Sequence, residues 1–161
     1  MKRNQPEWPS EHAMMCSIVP YWEQQGAHVY QEVGHFGARC DLVAAWPDRL
    51  VIVEGKLHPI HRVIEQAAFY RLSAHQQYVA VPYTTPAFVA ACNEAGVGCL
   101  IVTCDTPRLV FPAPLTIPDP LALARFHQAL AAWDAHRAES LGQHLKDPIP
   151  TNRRNEDNDH E

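Results

Sequence analysis

The chain has 161 residues, 47% of them hydrophobic and 19% charged, enough for one domain with its own core and too little for two large ones. Thirteen Lys and Arg stand against 18 Asp and Glu, a formal net charge of −5, and only Lys2, Lys56 and Lys146 are lysines. That balance excludes a protein that grips phosphates by bulk positive charge, so any such role must come from a local patch or a metal. Five cysteines without a CxxC pair argue against a disulfide framework. No apolar run approaches the ~18 residues of a membrane span, so a soluble, cytoplasmic protein with no membrane partner is expected.

Residues 1–9, with Pro6 and Pro9, read as a flexible N-terminal arm. Ser10 can cap a helix in which Met14, Met15, Ile18, Val19 and Trp22 recur at helical spacing as far as Gly26, with a kink expected at Pro20. Three strands follow: AHVYQEV (27–33), RCDLVAAW (39–46) and RLVIVEGK (49–56), the last two joined in a hairpin by Pro47 and Asp48. Gly34 and Gly37 imply a flexible loop between the first two, a natural place to touch a substrate.

Pro59 suits a first helical turn, and residues 61–74 have helical composition. A strand at 77–82, a capped helix at 84–96 with Pro86 near its start and an apolar strand at 98–104 complete an αβββαβαβ order. That order predicts an α/β fold, with a mixed central sheet flanked by helices. Residues 106–118, with four prolines, read as an extended connector. Asp119 caps a C-terminal helix, 119–146, whose stripe of Leu123, Phe126, Leu130 and Trp133 docks on the body or on a partner, either a second copy or another protein. Residues 147–161 have the composition of a disordered tail.

The unusual feature is where the charges fall. Asp41 interrupts an otherwise apolar strand, and Glu54 and Lys56 end VIVEGK two positions apart, on one face. An ionised carboxylate in a core costs several kcal/mol unless it is paired or bound to metal. Neighbouring strands that bring Asp41, Glu54 and Lys56 together therefore point to a site: a divalent cation would remove the carboxylate repulsion, and Lys56 would balance the remaining charge. The plain alternative is a structural ion pair at a strand end. His58 and His61 lack a second ligand pair at zinc spacing, and Ser73 near His75 lacks the turn of a nucleophile elbow.

The run RCDLVAAWPDRLVIVEGK, with a helix before it and a helix carrying Gln66 after it, resembles the PD-(D/E)XK nuclease superfamily over roughly residues 10–104. Asp41 matches the acid of the second strand, Glu54 and Lys56 the (D/E)xK element, Gln66 (with Tyr70 one turn on) a glutamine of the following helix, and Glu11 an acid of the first helix. Cys40 stands where the motif has Pro, and Gly55 fills its variable position. The resemblance implies a restriction-endonuclease-like αβββαβ core within residues 10–105 and metal-dependent phosphodiester hydrolysis. Mg²⁺ or Mn²⁺ would be held by Asp41, Glu54 and the Gly55 carbonyl, with Glu11 as a further candidate. Lys56 would orient the attacking water or stabilise developing charge, and Gln66 would position the nucleophile or a phosphate by hydrogen bonding. His58, Arg62 and Arg39 are candidate phosphate contacts, Arg62 and His58 at a helix start. DNA is the expected substrate, in repair, recombination, restriction or mobile-element biology, with RNA left open. The alternatives are a catalytically silent member of the fold serving as a nucleic-acid- or protein-binding module, and a metal-dependent hydrolase of another substrate.

Overall fold

The runs richest in Val, Ile and Leu become strands, because β-branched and apolar side chains pack well on a pleated, buried surface. In the computed structural model, which describes residues 8–104 and 106–144, six strands form one sheet in chain order. They are β1 (His28–His35), β2 (Ala38–Trp46), β3 (Arg49–Gly55), β4 (Gln76–Val81), β5 (Gly98–Ile101) and β6 (Arg108–Phe111). β1, β2 and β3 pair antiparallel, β4 and β5 run parallel to β3, and β6 returns antiparallel. The mixed sheet and the αβββαβ order are as the sequence predicts. β6 is an addition, hidden between Pro107 and Pro112 because four residues are too few to show a period. The expected tail and residues 1–7 lie outside the described residues; Trp8, from the expected arm, donates its indole N–H to the Val102 carbonyl at 3.3 Å.

The helices are α1 (Glu11–Ser17), α2 (Val19–Glu23), α3 (His61–Phe69), α4 (Pro86–Glu94) and α5 (Pro120–His144). Ser10 Oγ accepts the Ala13 N–H at 3.0 Å, Thr85 Oγ1 that of Phe88 at 3.2 Å and Asp119 Oδ1 that of Ala122 at 2.9 Å, each an N-terminal cap. The first helix breaks at Ile18 rather than bending at Pro20, because proline fits the first turn of α2, where its missing N–H is not needed. α3 is shorter than the expected 61–74 and tightens into a 3₁₀ turn at Tyr70–Leu72. The expected flexible loop between the first two strands is instead a two-residue turn, Phe36–Gly37, with φ of 50° and 74°; Gly34 lies within β1.

Connections β3–α3–β4 and β4–α4–β5 step across the sheet in the same direction. Right-handed crossovers then place α3 and α4 on one face. Val63, Ile64 and Ala67 of α3 and Phe88 and Cys92 of α4 pack there on Val79, Val81 and Cys99. α5 joins that face, with Phe126 and Leu130 against Val43, Leu50 and Ile52. The opposite face is covered by Met14, Met15, Ile18 and Trp22 of α1 and α2 on Leu42, Val51, Val53 and Tyr78. α5 also reaches the edge of the sheet, where the Trp133 indole donates to the Gln31 carbonyl at 2.9 Å. No helix among the described residues is long and apolar enough to cross a membrane.

Candidate active site

The site forms where two strands part. Pairing of β2 with β3 ends at Leu42–Val53, whereas β3 stays paired with β4 through Gly55–Ala80, and Lys56 N–H still reaches the Ala80 carbonyl at 3.0 Å. In a parallel ladder the residues of a strand bond alternately to either side, so the backbone of Gly55 turns toward β2. There its N–H is taken by Asp41 Oδ2 at 2.8 Å. A carboxylate stands where the next rung of the sheet would be.

What turns Asp41 into that gap is a kink shared by two strands. Cys40 and Leu42 are two apart yet pack in opposite layers, while Tyr30 and Val33 are three apart and pack in the same one. Side-chain alternation therefore breaks at Asp41 on β2 and at Glu32 on β1, which face each other in the register and form no pair. Glu32 holds φ at 56°, a left-handed conformation that costs a non-glycine residue about 1–2 kcal/mol. Its carboxylate lies 2.6 Å from Arg39 Nε.

Glu54 is 3% exposed, on the α3 side of the sheet, and its Oε1 is buried without a hydrogen-bond partner among the described residues. Burial first, and the Asp41 charge second, push its carboxyl up to about 8; the Cys40 thiol, the Asp41 backbone and the Lys56 charge pull the other way without restoring it. Asp41 is also raised, by burial above all and then by Glu32 and Glu11, against the Gly55 N–H and Lys56. Two carboxylates thus repel each other in a site that desolvates both. Lys56 Nζ lies 2.8 Å from Glu11 Oε2 and is partly exposed.

A cleft of about 460 Å³ opens over Glu54, lined by Arg39, Arg62, Gln66, Phe69 and Tyr70. Gln66 Oε1 is buried there with no partner among the described residues. The structure thus brings Asp41, Glu54, Gly55, Lys56 and Gln66 to one place, with Arg39 and Arg62 at the cleft. Glu11 is engaged by Lys56 rather than facing the carboxylate pair alone. His58 is turned aside, its Nδ1 3.2 Å from the Tyr83 hydroxyl. Arg71 donates to the Ala95 carbonyl and ties the turn after α3 to α4.

No protein-family model matches the chain, and no curated protein matches it. Among solved structures, a protein of unknown function from Silicibacter pomeroyi is 20% identical, with a TM-score of 0.64 over 88% of this chain and 97% of its own. A repair endonuclease from Pyrococcus abyssi is 14% identical, with a TM-score of 0.49 over 61% of this chain and 49% of its own. The first likeness shows a shared fold.

The residues present fit a divalent cation by their chemistry. Among the described residues no three His, Cys, Asp or Glu side chains gather as a ready-made cage, so the donor set is two carboxylates plus the Gly55 carbonyl, which points to the same side as its N–H. Mg²⁺ keeps several waters and accepts so small a protein share. The Glu54 oxygen, without a partner among the described residues, is the one a cation would engage in place of the proton that the raised carboxyl retains. Glu32 and Phe69 are the members of the site that sequence pattern does not reveal: one reads as an ordinary strand residue, the other as part of a helix.

Proposed function

We propose that the protein is a metal-dependent nuclease that hydrolyses phosphodiester bonds, with DNA as the first substrate to test. The observation that carries this reading is Glu54: a buried carboxyl group with an oxygen that has no partner among the described residues, beside the half-buried Asp41 carboxylate, under a cleft bordered by two arginines. Such a pair is destabilising by itself, and a cation that joined it would relieve the repulsion. The (D/E)xK resemblance supports the same assignment, since Lys56 is poised at the end of the same strand.

Asp41, Glu54 and the Gly55 carbonyl would hold Mg²⁺ or Mn²⁺, which when bound would polarise a phosphate oxygen and lower the pKa of a coordinated water. The chain's own groups do the rest. Lys56, fixed by Glu11, presents a positive charge to the phosphate and stabilises the charge that develops on its oxygens. Gln66, with an amide free to bond in the cleft, orients the attacking water. Arg62 and Arg39 offer guanidinium groups to flanking phosphates. Met14 and Met15, packed under Gly55, keep the far side of the strand dry.

The test is cleavage of supercoiled, linear, single-stranded and branched DNA in Mg²⁺ or Mn²⁺, beside Asp41→Ala and Lys56→Ala. Cleavage by the native protein that both substitutions abolish is expected. Cleavage unchanged in both sinks the assignment, and no cleavage of any substrate, with DNA or protein binding retained, favours a binding module.

A further inference from the structure

Four aromatic rings run in an unbroken row from the cleft to the β1–β2 turn. Phe69 sits 5.2 Å from Tyr70, Tyr70 stacks at 6.3 Å from His35, and His35 lies 4.1 Å from Phe36, centroid to centroid. The two middle rings are buried, at 2% and 6% exposure, and the two end rings are exposed, at 56% and 50%. Packing accounts for the middle of the row, since Tyr70 and His35 both stack on Phe126 of α5. It does not account for the ends, where a large apolar ring stands in water, Phe69 in the wall of the cleft and Phe36 at the turn.

We infer that Phe69 and Phe36 are stacking platforms for unpaired bases, and that the substrate enters the cleft as a single-stranded or frayed polynucleotide. Three observations converge. Phe69 lines the cleft that holds Glu54, so a base on its ring places the adjoining backbone at the carboxylates. Phe36 is held at φ 50°, a conformation rare for a bulky side chain, at the tip of a two-residue turn, and Arg125 lies 5.8 Å over its ring. An arginine beside an exposed ring is the pairing that binds a base and its phosphate together. The third is charge: with a net charge of −5, the chain has local arginines but no basic excess with which to hold a duplex by its phosphates alone. Stacking needs no such excess, and it requires bases that a duplex keeps hidden.

This inference rests on the nuclease reading for the fate of the bound strand, but not for its binding. The experiment measures fluorescence anisotropy of a labelled oligothymidylate and of a blunt duplex with Ca²⁺ in place of Mg²⁺, and cleavage of both with Mg²⁺. Native protein is compared with Phe69→Ala, Phe36→Ala, Phe69→Tyr, Phe36→Tyr and Lys56→Ala. Both phenylalanines are exposed, and thermal unfolding checks that their variants fold. The expected result is tighter binding and faster cleavage of the single strand, about a fivefold or greater loss of its binding in each alanine variant, and recovery in each tyrosine variant. Equal binding of duplex and single strand, or alanine variants that bind the single strand as native protein does, overturns the inference. If Lys56→Ala still loses cleavage in that case, the nuclease reading survives. Phenylalanine-dependent binding of the single strand, with no cleavage by native protein of these two substrates or of supercoiled and branched DNA, upholds the inference and defeats the nuclease reading.

Discussion

Asp41 Oδ2 accepts the backbone N–H of Gly55 at 2.8 Å, so a side chain of β2 takes the place of a missing rung between β2 and β3. The structural task is on view, the chemical one is the proposal made above, and substitutions separate the two.

Asp41→Asn keeps an acceptor for the Gly55 N–H and removes the charge. Its unfolding free energy should stay within about 1 kcal/mol of native, while Asp41→Ala, which leaves a half-buried N–H unpaired, should lose about 1–3 kcal/mol. Cleavage should be lost in both. Chemical denaturation beside a plasmid-nicking assay makes the comparison, and an active Asp41→Asn protein would contradict a role for the charge.

Glu54 predicts an unusual dependence of stability on pH. Its folded-state carboxyl is raised from 4.5 to about 8, so the native protein holds a proton that the unfolded chain has released. Without metal, stability is therefore highest below about pH 4.5 as far as this group is concerned, and falls as pH rises toward 8, by at most about 1.4 kcal/mol for each step of one in pH. Above 8 the fall ends. Urea denaturation in chelator from pH 5 to 9 should show the decline, Glu54→Gln should flatten it, and Mg²⁺ or Mn²⁺ should restore stability at the alkaline end, where the carboxylate is free to bind it.

Gly55 is a packing residue as well as a ligand candidate. A Cβ there would lie 2.8 Å from Met15 Cγ and closer still to its Sδ. Gly55→Ala should cost about 1–3 kcal/mol through displacement of α1. Because α1 carries Glu11, the partner of Lys56, activity should fall too. Adding Met15→Ala should recover part of the loss caused by Gly55→Ala, and a double-mutant cycle with no coupling would refute the contact as its cause.

The Lys56–Glu11 pair is partly exposed, and pairs of that kind contribute about 0–1 kcal/mol. Glu11→Gln should barely move the unfolding midpoint. If the pair positions the ammonium, the same substitution lowers kcat with KM little changed, and Glu11→Gln adds nothing to Lys56→Ala. Additive losses would separate the two residues.

The order of elements was readable because strands rich in Val and Ile and helices flagged by Ser10, Pro86 and Asp119 announce themselves locally. The carboxylates at 41 and 54 were readable for the opposite reason, since charge in an apolar strand breaks the pattern. The kink that aims Asp41 was not, because Glu32 is neither glycine nor proline and its left-handed backbone follows from how β1 and β2 meet. The row of rings was equally hidden. Its members lie in β1, in the turn after it, in α3 and in the 3₁₀ turn that follows α3, and no window of sequence holds them together.

The Trp133 indole on the Gln31 carbonyl bears on how copies of this protein meet in a crowded solution. An edge strand with open backbone groups is a template on which another chain can grow a sheet. Cross-bracing of β1 by α5 removes one such template and leaves β6 at the far side. That strand is four residues long, carries the exposed Arg108 and is bracketed by Pro107 and Pro112. A short, charged, proline-flanked border is a poor seed, so loss of Trp133 rather than any change in β6 is what should expose the protein to runaway edge-to-edge assembly.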